Sequence, residues 1–493
     1  MVDGLPPSPL LFRGGAVRLG SAKLGLVAAE WGYSTSRNTD CPHPNPSPKE
    51  EGLSRLVTLV LAGLALCFAA PAAAQLTKAE AKMTATVDAE YERSVALLER
   101  MVNQNSGTMN FDGVRKVADM MRAELAPLGF SFEWQDMAAA KRAGHLVATK
   151  TGKKGNKKLL LIAHLDTVFE PDSPFQKFVR KQNGALDEAE GPGAGDDKGG
   201  MIVIVAALRA MQAAGTLKDA NIEIHMTGDE EDSGDPIEIT RAPLIAAGKR
   251  ADVALDFEGL VTDNGKDMGT IARRSSNSWK LEVSGKTGHS SLIFNETYGD
   301  GAINELARII SRFRTELPEE NLTFNVGLIA GGQEATLDPD GIRMSAKGKT
   351  NIIPGIALAR GDFRTLSPEQ TERVKTKMSA IVADHALLTD AQLSFDPGAY
   401  PAMAPTEGNA KLLGRLNSIN RDLGLEEMAA LDPLKRGAGD ISFVATDVDG
   451  LVGLGTASRG DHAPGETVDL NSIKRQAKRA AILMTRLSKE KAE

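Results

Sequence analysis

Leu159-Leu160-Leu161-Ile162-Ala163-His164-Leu165-Asp166-Thr167, followed by Gly191-Pro192-Gly193-Ala194-Gly195-Asp196-Asp197-Lys198-Gly199-Gly200, decides how this chain folds. An unbroken apolar run of this length suits a central parallel strand covered on both faces. His164 and Asp166 then leave the sheet at the carboxyl end of that strand, the edge where open α/β sheets place their ligands. Met201–Leu208 reads as a buried helix opened by the double glycine, so Asp196 and Asp197 occupy a tight loop just ahead of a helix N-terminus. The glycines let the backbone turn there without Cβ clashes.

The pattern repeats along the chain. Ile222-Glu223-Ile224-His225-Met226 is a further strand and delivers Glu230 and Glu231 to the same edge. Ala251–Glu258 is another, and Leu451-Val452-Gly453-Leu454-Gly455 is a late one, followed by Gly460-Asp461-His462. A single histidine or acidic pair in such a place is ordinarily structural. Several of them, each at the end of a buried strand, point to the ligand loops of a two-metal hydrolase. The set His164, Asp196, Glu231, Glu258 and His462 mixes imidazoles with carboxylates and contains no cysteine, a donor set that suits zinc with one carboxylate free to bridge two ions.

Between these motifs lies a different pattern. Trp279–Gly285 alternates as a half-buried strand, and residues 299–317 have helical apolar spacing through Ile303, Leu306, Ile309, Ile310 and Phe313. Strands near 322–330 and 356–364, a helix near 367–386 and the strand Gln392–Phe395 complete a βαββαβ series, a small α+β insertion.

His164-Leu165-Asp166-Thr167-Val168, the Gly191–Gly200 loop, Thr227-Gly228-Asp229-Glu230-Glu231, Asn351-Ile352-Ile353-Pro354 and Asp461-His462 together resemble the aminoacylase/carboxypeptidase family of co-catalytic dizinc metallopeptidases. The form of the loop resembles the bacterial glutamate carboxypeptidase branch. The motifs run in the family's order and cover roughly residues 85–490. The resemblance implies a zinc-peptidase α/β/α sandwich with a mixed central sheet and an inserted ferredoxin-like lid and dimerisation domain. It places the two parts of the catalytic domain at 75–273 and 400–493 and the insertion at 274–399.

The resemblance also implies roles. Asp196 bridges two zinc ions per subunit, His164 and Glu258 complete one, and Glu231 and His462 complete the other; Asp197 and Asp256 are the alternatives to Asp196 and Glu258. Glu230 is the general base, and Asp166 orients the metal ligands. Arg364 and Asn351 bind substrate. His289, in the turn Gly285-Lys286-Thr287-Gly288-His289, supplies an oxyanion donor, commonly to the neighbouring subunit of a homodimer. A cis peptide between Asp196 and Asp197 belongs to the same pattern. The expected reaction is amide hydrolysis that releases a C-terminal amino acid, with glutamate the first candidate. Aminoacylase, dipeptidase and deacetylase activities use the same centre, and a non-catalytic relative would be expected to lack at least one ligand. His225, His385, His145 and His43 read as structural or motif-free, and Lys198 as part of the loop's own bonding.

Composition agrees with an enzyme of small substrates. The chain has 493 residues, enough for two domains, and its net charge of -7 with 25% charged residues gives no basic surface for nucleic acid. Arg55, the apolar run Leu56–Ala70 and Ala72-Ala73-Ala74 before Gln75 have the layout of a secretory signal at residues 53–74. This layout implies a periplasmic or secreted protein without a stable membrane anchor. Leu66 before Cys67 disfavours a lipoprotein site. Residues 1–52, rich in Pro, Gly and Ser, would bury that signal in mid-chain and read as a non-native or disordered extension, with translation starting near Leu53. Both cysteines, Cys41 and Cys67, would then be absent from the mature chain.

Overall fold

The computed structural model describes residues 76–183 and 186–492. The expected signal at 53–74, the extension 1–52 and both cysteines lie outside the described residues.

The central sheet has six strands in the order 131–136, 144–150, 221–227, 158–164, 253–256, 450–451. Lys158–His164 pairs in parallel with Asn221–Thr227 on one side and with Val253–Asp256 on the other, while the first two strands run antiparallel, so the sheet is mixed. Alternate residues of Lys158–His164 feed opposite faces, as the pleat requires. Leu159, Leu161 and Ala163 join the core with helices Lys198–Ala213 and Leu470–Leu487, whereas Leu160 and Ile162 pack with Leu244, Ile441 and Val444 on the other face. Each face is covered, which is why the strand reads as an unbroken apolar run. The α/β/α sandwich expected from the sequence is the fold observed.

The helix Lys198–Ala213 takes both glycines into its first turn. Their role is close approach as well as turning. A Cβ on Gly200 would lie 2.0 Å from the Phe257 carbonyl oxygen, and Gly193 alone supplies the positive φ of the loop, at 70°.

A second sheet of four antiparallel strands has the order 323–332, 356–364, 277–285, 389–395. Numbered along the chain this is 2-3-1-4, the ferredoxin-like order, with helices Ala302–Glu316 and Pro368–Ala383 packed on one face. Trp279, Leu281 and Val283 meet Ile309 and Phe313 there, and the Trp279 and Phe313 rings stand edge to face at 5.8 Å. The chain passes between the sheets on two paired segments, with Ser276 and Tyr400 exchanging backbone hydrogen bonds of 3.0 Å and Arg273 pairing with Met403.

Several elements differ from expectation. The late strand shrinks to Gly450–Leu451, because the glycines beyond it turn the chain: Gly453 has φ 83°. The hairpin Glu334–Leu337 with Met344–Lys347, and a four-stranded sheet joining 179–183, 186–190, 458–459 and 467–469, were not expected. Their strands are short or largely polar, and carry little apolar alternation. Replacing Trp279 by Ala should destabilise the second sheet by about 3–5 kcal/mol. Denaturant unfolding measures this, and a change below about 1 kcal/mol would contradict the packing described.

Candidate metal centre

The strand ends bring the acidic loops to one edge of the central sheet. Asp196 lies between two imidazoles, its Oδ1 2.9 Å from His164 Nε2 and its Oδ2 3.1 Å from His462 Nε2. His462 Nε2 is also 3.1 Å from Glu231 Oε2. Ligand-capable atoms of His164, Asp196 and Glu231 lie within 4.8 Å of one another, and so do those of His164, Glu230 and Glu258. All five expected ligands and the expected base therefore share one place. His462 is held there at φ 65°, a left-handed conformation uncommon for a residue with a side chain.

The alternatives sit differently. Asp197 is fully buried beneath the loop, its Oδ2 accepting from the His164 backbone N–H at 3.2 Å and its Oδ1 without a hydrogen-bond partner among the described residues. Asp256 accepts from the Glu258 N–H at 3.2 Å and does not line the cavity, whereas Glu258 does. The Asp196–Asp197 peptide is cis.

Backbone donors hold the carboxylates in place. Asp166 accepts from the N–H groups of both Glu230 and Glu231 at 3.1 Å and from Thr108 Oγ1 at 2.6 Å, and its carbonyl lies 3.2 Å from His164 Nδ1. One buried residue thus sets the imidazole through its carbonyl and the acidic turn through its carboxylate. Glu466 does the same for the glycine loop, accepting from Gly193 at 3.0 Å, Gly195 at 2.7 Å and Asp196 at 3.1 Å. Tyr400 donates to the Glu230 carbonyl at 2.9 Å and accepts from Arg241, which is itself buried between Asp229 and Asp440. Glu466, Tyr400 and Arg241 belong to no motif, so sequence reasoning passed over them. The only sequence signal is the place of Glu466 four residues after His462.

The electrostatics are those of a site built for cations. Burial, then the Glu258 charge, pushes the Glu230 carboxyl well above its usual range. Burial also lifts Glu231 to about 7, against the hydrogen bond from His462. Burial opposes ionisation of Asp196 too, but the hydrogen bonds from His164 and His462 outweigh it and hold that carboxyl low. Hydrogen bonds to Asp196 and Glu231 raise the His462 imidazole to about 11. So many carboxylates packed with two histidines are the hard and borderline donors that fit divalent metal, zinc among them.

The centre opens into a cavity of about 500 Å³, lined by Asp196, Glu230, Glu231, Glu258 and His462 together with Arg273, Arg364, Tyr400, Lys435 and Arg436. Arg364 reaches it from the second sheet and is held by a long 3.4 Å contact to Asp362. His289 and Asn351 do not line it. They lie side by side on the second sheet's connections, where the Ser290 N–H donates to the Asn351 carbonyl at 2.9 Å and His289 Nδ1 is 2.8 Å from Ser291 Oγ. His145 and His225 are buried structural rings, as expected; burial holds His225 down to about 3.

The sequence profile described as Peptidase family M20/M25/M40 matches residues 160–486. Carboxypeptidase G2 of Pseudomonas sp. (strain RS-16) is 25% identical over 435 residues, covering 87% of this chain and 97% of that protein. Succinyl-diaminopimelate desuccinylase of Acidovorax ebreus (strain TPSY) is 25% identical over 405 residues, covering 77% of this chain and 94% of that protein. Among solved structures, a tripeptidase from Staphylococcus aureus superposes with a TM-score of 0.63 at 20% identity, covering 81% of this chain and 99% of that one.

An imidazole must lose its proton to bind metal. Because His462 is raised to about 11, it carries that proton between pH 6 and 8 in the metal-free protein, and metal must displace it. Apparent metal affinity should therefore rise with pH, by about tenfold per unit for each proton displaced. Chelator competition across this range checks the slope; a flat profile would remove His462 from the ligand set.

Proposed function

Because the chain belongs to peptidase family M20/M25/M40, and is thus a metal-dependent hydrolase of peptide-type bonds, we propose that it is a dizinc carboxypeptidase releasing a C-terminal amino acid, glutamate foremost. The observation that carries the reading is the Asp196 carboxylate, one oxygen facing each of two histidines, with Glu230 beside them. Asp196 with His164 and Glu258 would hold one zinc ion, and Asp196 with Glu231 and His462 the other. Zinc bound there supplies an activated water near neutral pH and polarises the scissile carbonyl.

The chain's own groups perform the rest. Glu230, its backbone fixed by Asp166 and Tyr400, takes the proton of the attacking water and passes it to the leaving amine nitrogen as the C–N bond breaks. Arg364 receives the substrate carboxylate. The basic side chains that line the cavity favour an acidic released residue. They suit a dicarboxylic acyl group as well, so hydrolysis of an N-succinyl amino acid is the second reading, in keeping with the desuccinylase relative.

His289 and Asn351 belong to the part of the site completed by a second copy. The His289 ring is exposed and outside its own cavity, as expected of a donor that reaches a neighbouring subunit's oxyanion in a homodimer. The signal at 53–74 directs export, and fractionation with N-terminal sequencing of the mature chain tests it.

Glu230→Gln should keep the metal content and lower kcat by about 10² to 10⁴. Loss of metal with activity would make Glu230 a ligand instead. A panel of N-acyl glutamates, N-succinyl amino acids and dipeptides ranks the substrates. Arg364→Ala should raise KM for the preferred acid by about tenfold or more, and an unchanged KM would remove Arg364 from recognition. Mixed with inactive Glu230→Gln, inactive His289→Ala should regain activity, since one site of each heterodimer holds both native groups. Demonstrated heterodimers without activity would return His289 to its own subunit or to no role.

A further inference from the structure

The two ends of the centre carry different charge. At one end, both oxygens of Glu258 are taken by guanidinium groups, Oε1 by Arg273 Nη1 at 2.8 Å and Oε2 by Arg436 Nη2 at 2.8 Å. At the other end, Glu231 meets His462 at 3.1 Å and has no ion pair with lysine or arginine among the described residues. Arginine does not lose its proton in a protein, so this asymmetry persists at every working pH.

The two arginines are held differently. Arg273 is anchored: its Nε donates to the Gly437 carbonyl at 2.8 Å, its Nη2 donates to the Ala438 carbonyl, and its side chain is 5% exposed. Arg436 pairs with Glu258 through one nitrogen while its buried Nε has no hydrogen-bond partner among the described residues. Its side chain is 15% exposed and, like that of Arg273, lines the cavity with Arg364 and Lys435. Arg273 is a fixed charge and Arg436 a displaceable one.

We infer that Arg436 is a built-in cationic competitor for Glu258, so that the two metal positions are unequal and the Glu258 position fills second and holds its ion more weakly. The inference rests on Glu258 being a metal ligand, as proposed above. A divalent ion arriving there shares its carboxylate with two positive charges in a buried site, where Coulomb repulsion is poorly screened. At the Glu231 and His462 position it meets no guanidinium or ammonium group among the described residues. Displacement of Arg436 turns its guanidinium toward the cavity beside Arg364, so filling the weaker position also adds a binding group for an anionic substrate.

The test is stepwise metal binding to the full chain after chelation, with Co²⁺ followed by its visible spectrum and Zn²⁺ by calorimetry. Wild type should bind in two steps differing by about tenfold or more, and Arg436→Met should tighten the weaker step by about tenfold while leaving the tighter one within about threefold. Arg436→Lys, which keeps the charge but not the planar fork, should fall between them and carries the test if Arg436→Met does not fold. Glu258→Gln should abolish the weaker step alone. Two equal steps in wild type, or a weaker step unmoved by both Arg436 variants, overturns the inference and leaves the dinuclear reading standing. Failure of wild type and every variant to bind metal at all overturns the dinuclear reading itself.

Discussion

A cluster of ionised, buried carboxylates stays together only with compensating positive charge, and the whole functional edge of this protein answers to that constraint. Asp166, Asp196, Asp197, Glu230, Glu231 and Glu258 converge on one edge of the central sheet. Burial limits their access to water, so each charge is compensated by a backbone N–H, an imidazole, a guanidinium or a metal ion. The first three are visible and are shared out unevenly. What they leave, the space around Asp196 between His164 and His462, is where divalent cations fit.

The scaffold supplies the backbone part of that compensation through residues that do no chemistry. Asp166 takes two N–H groups of the Glu230–Glu231 turn, and Glu466 takes three from the glycine loop. Both fix loops through their main chain, so the side chains of Glu230, Glu231 and Asp196 turn toward the cavity. Close packing adds to this: the glycines of the loop admit the Phe257 carbonyl and neighbouring side chains where a Cβ would collide.

The second sheet contributes to the wall of the cavity. Arg364 comes from its strand 356–364, while Arg273 and Tyr400 lie on the paired segments that join the sheets. The Arg364 side of the cavity and the acidic edge thus meet at a two-stranded connection. Any change in the angle between the sheets would alter the distance from Arg364 to Glu230.

The sequence by itself determined the parallel strands of the sheet, the ligand loops and the inserted α+β unit, because these depend on local rules; the antiparallel strands 131–136 and 144–150 emerge only in the structure. An apolar run such as Leu159–Ala163, bounded by turn residues, suits a strand covered on both faces, and the residues next in the chain emerge at its carboxyl end. It also separated structural histidines such as His225, inside a strand, from His164 and His462 at or beyond strand ends. It could not separate Asp196 from Asp197, or Glu258 from Asp256, since adjacent or alternate residues differ only in which way the backbone turns them. Tertiary structure alone separates them in space, setting Asp196 between the imidazoles and Asp197, fully buried, at the N-cap of the helix Lys198–Ala213. It alone brought Glu466, Tyr400, Arg241 and Arg436 to the site; Tyr400 meets Glu230 across 170 residues of chain. Charge compensation in a buried site is a property of three-dimensional distance, and no spacing along the chain encodes it.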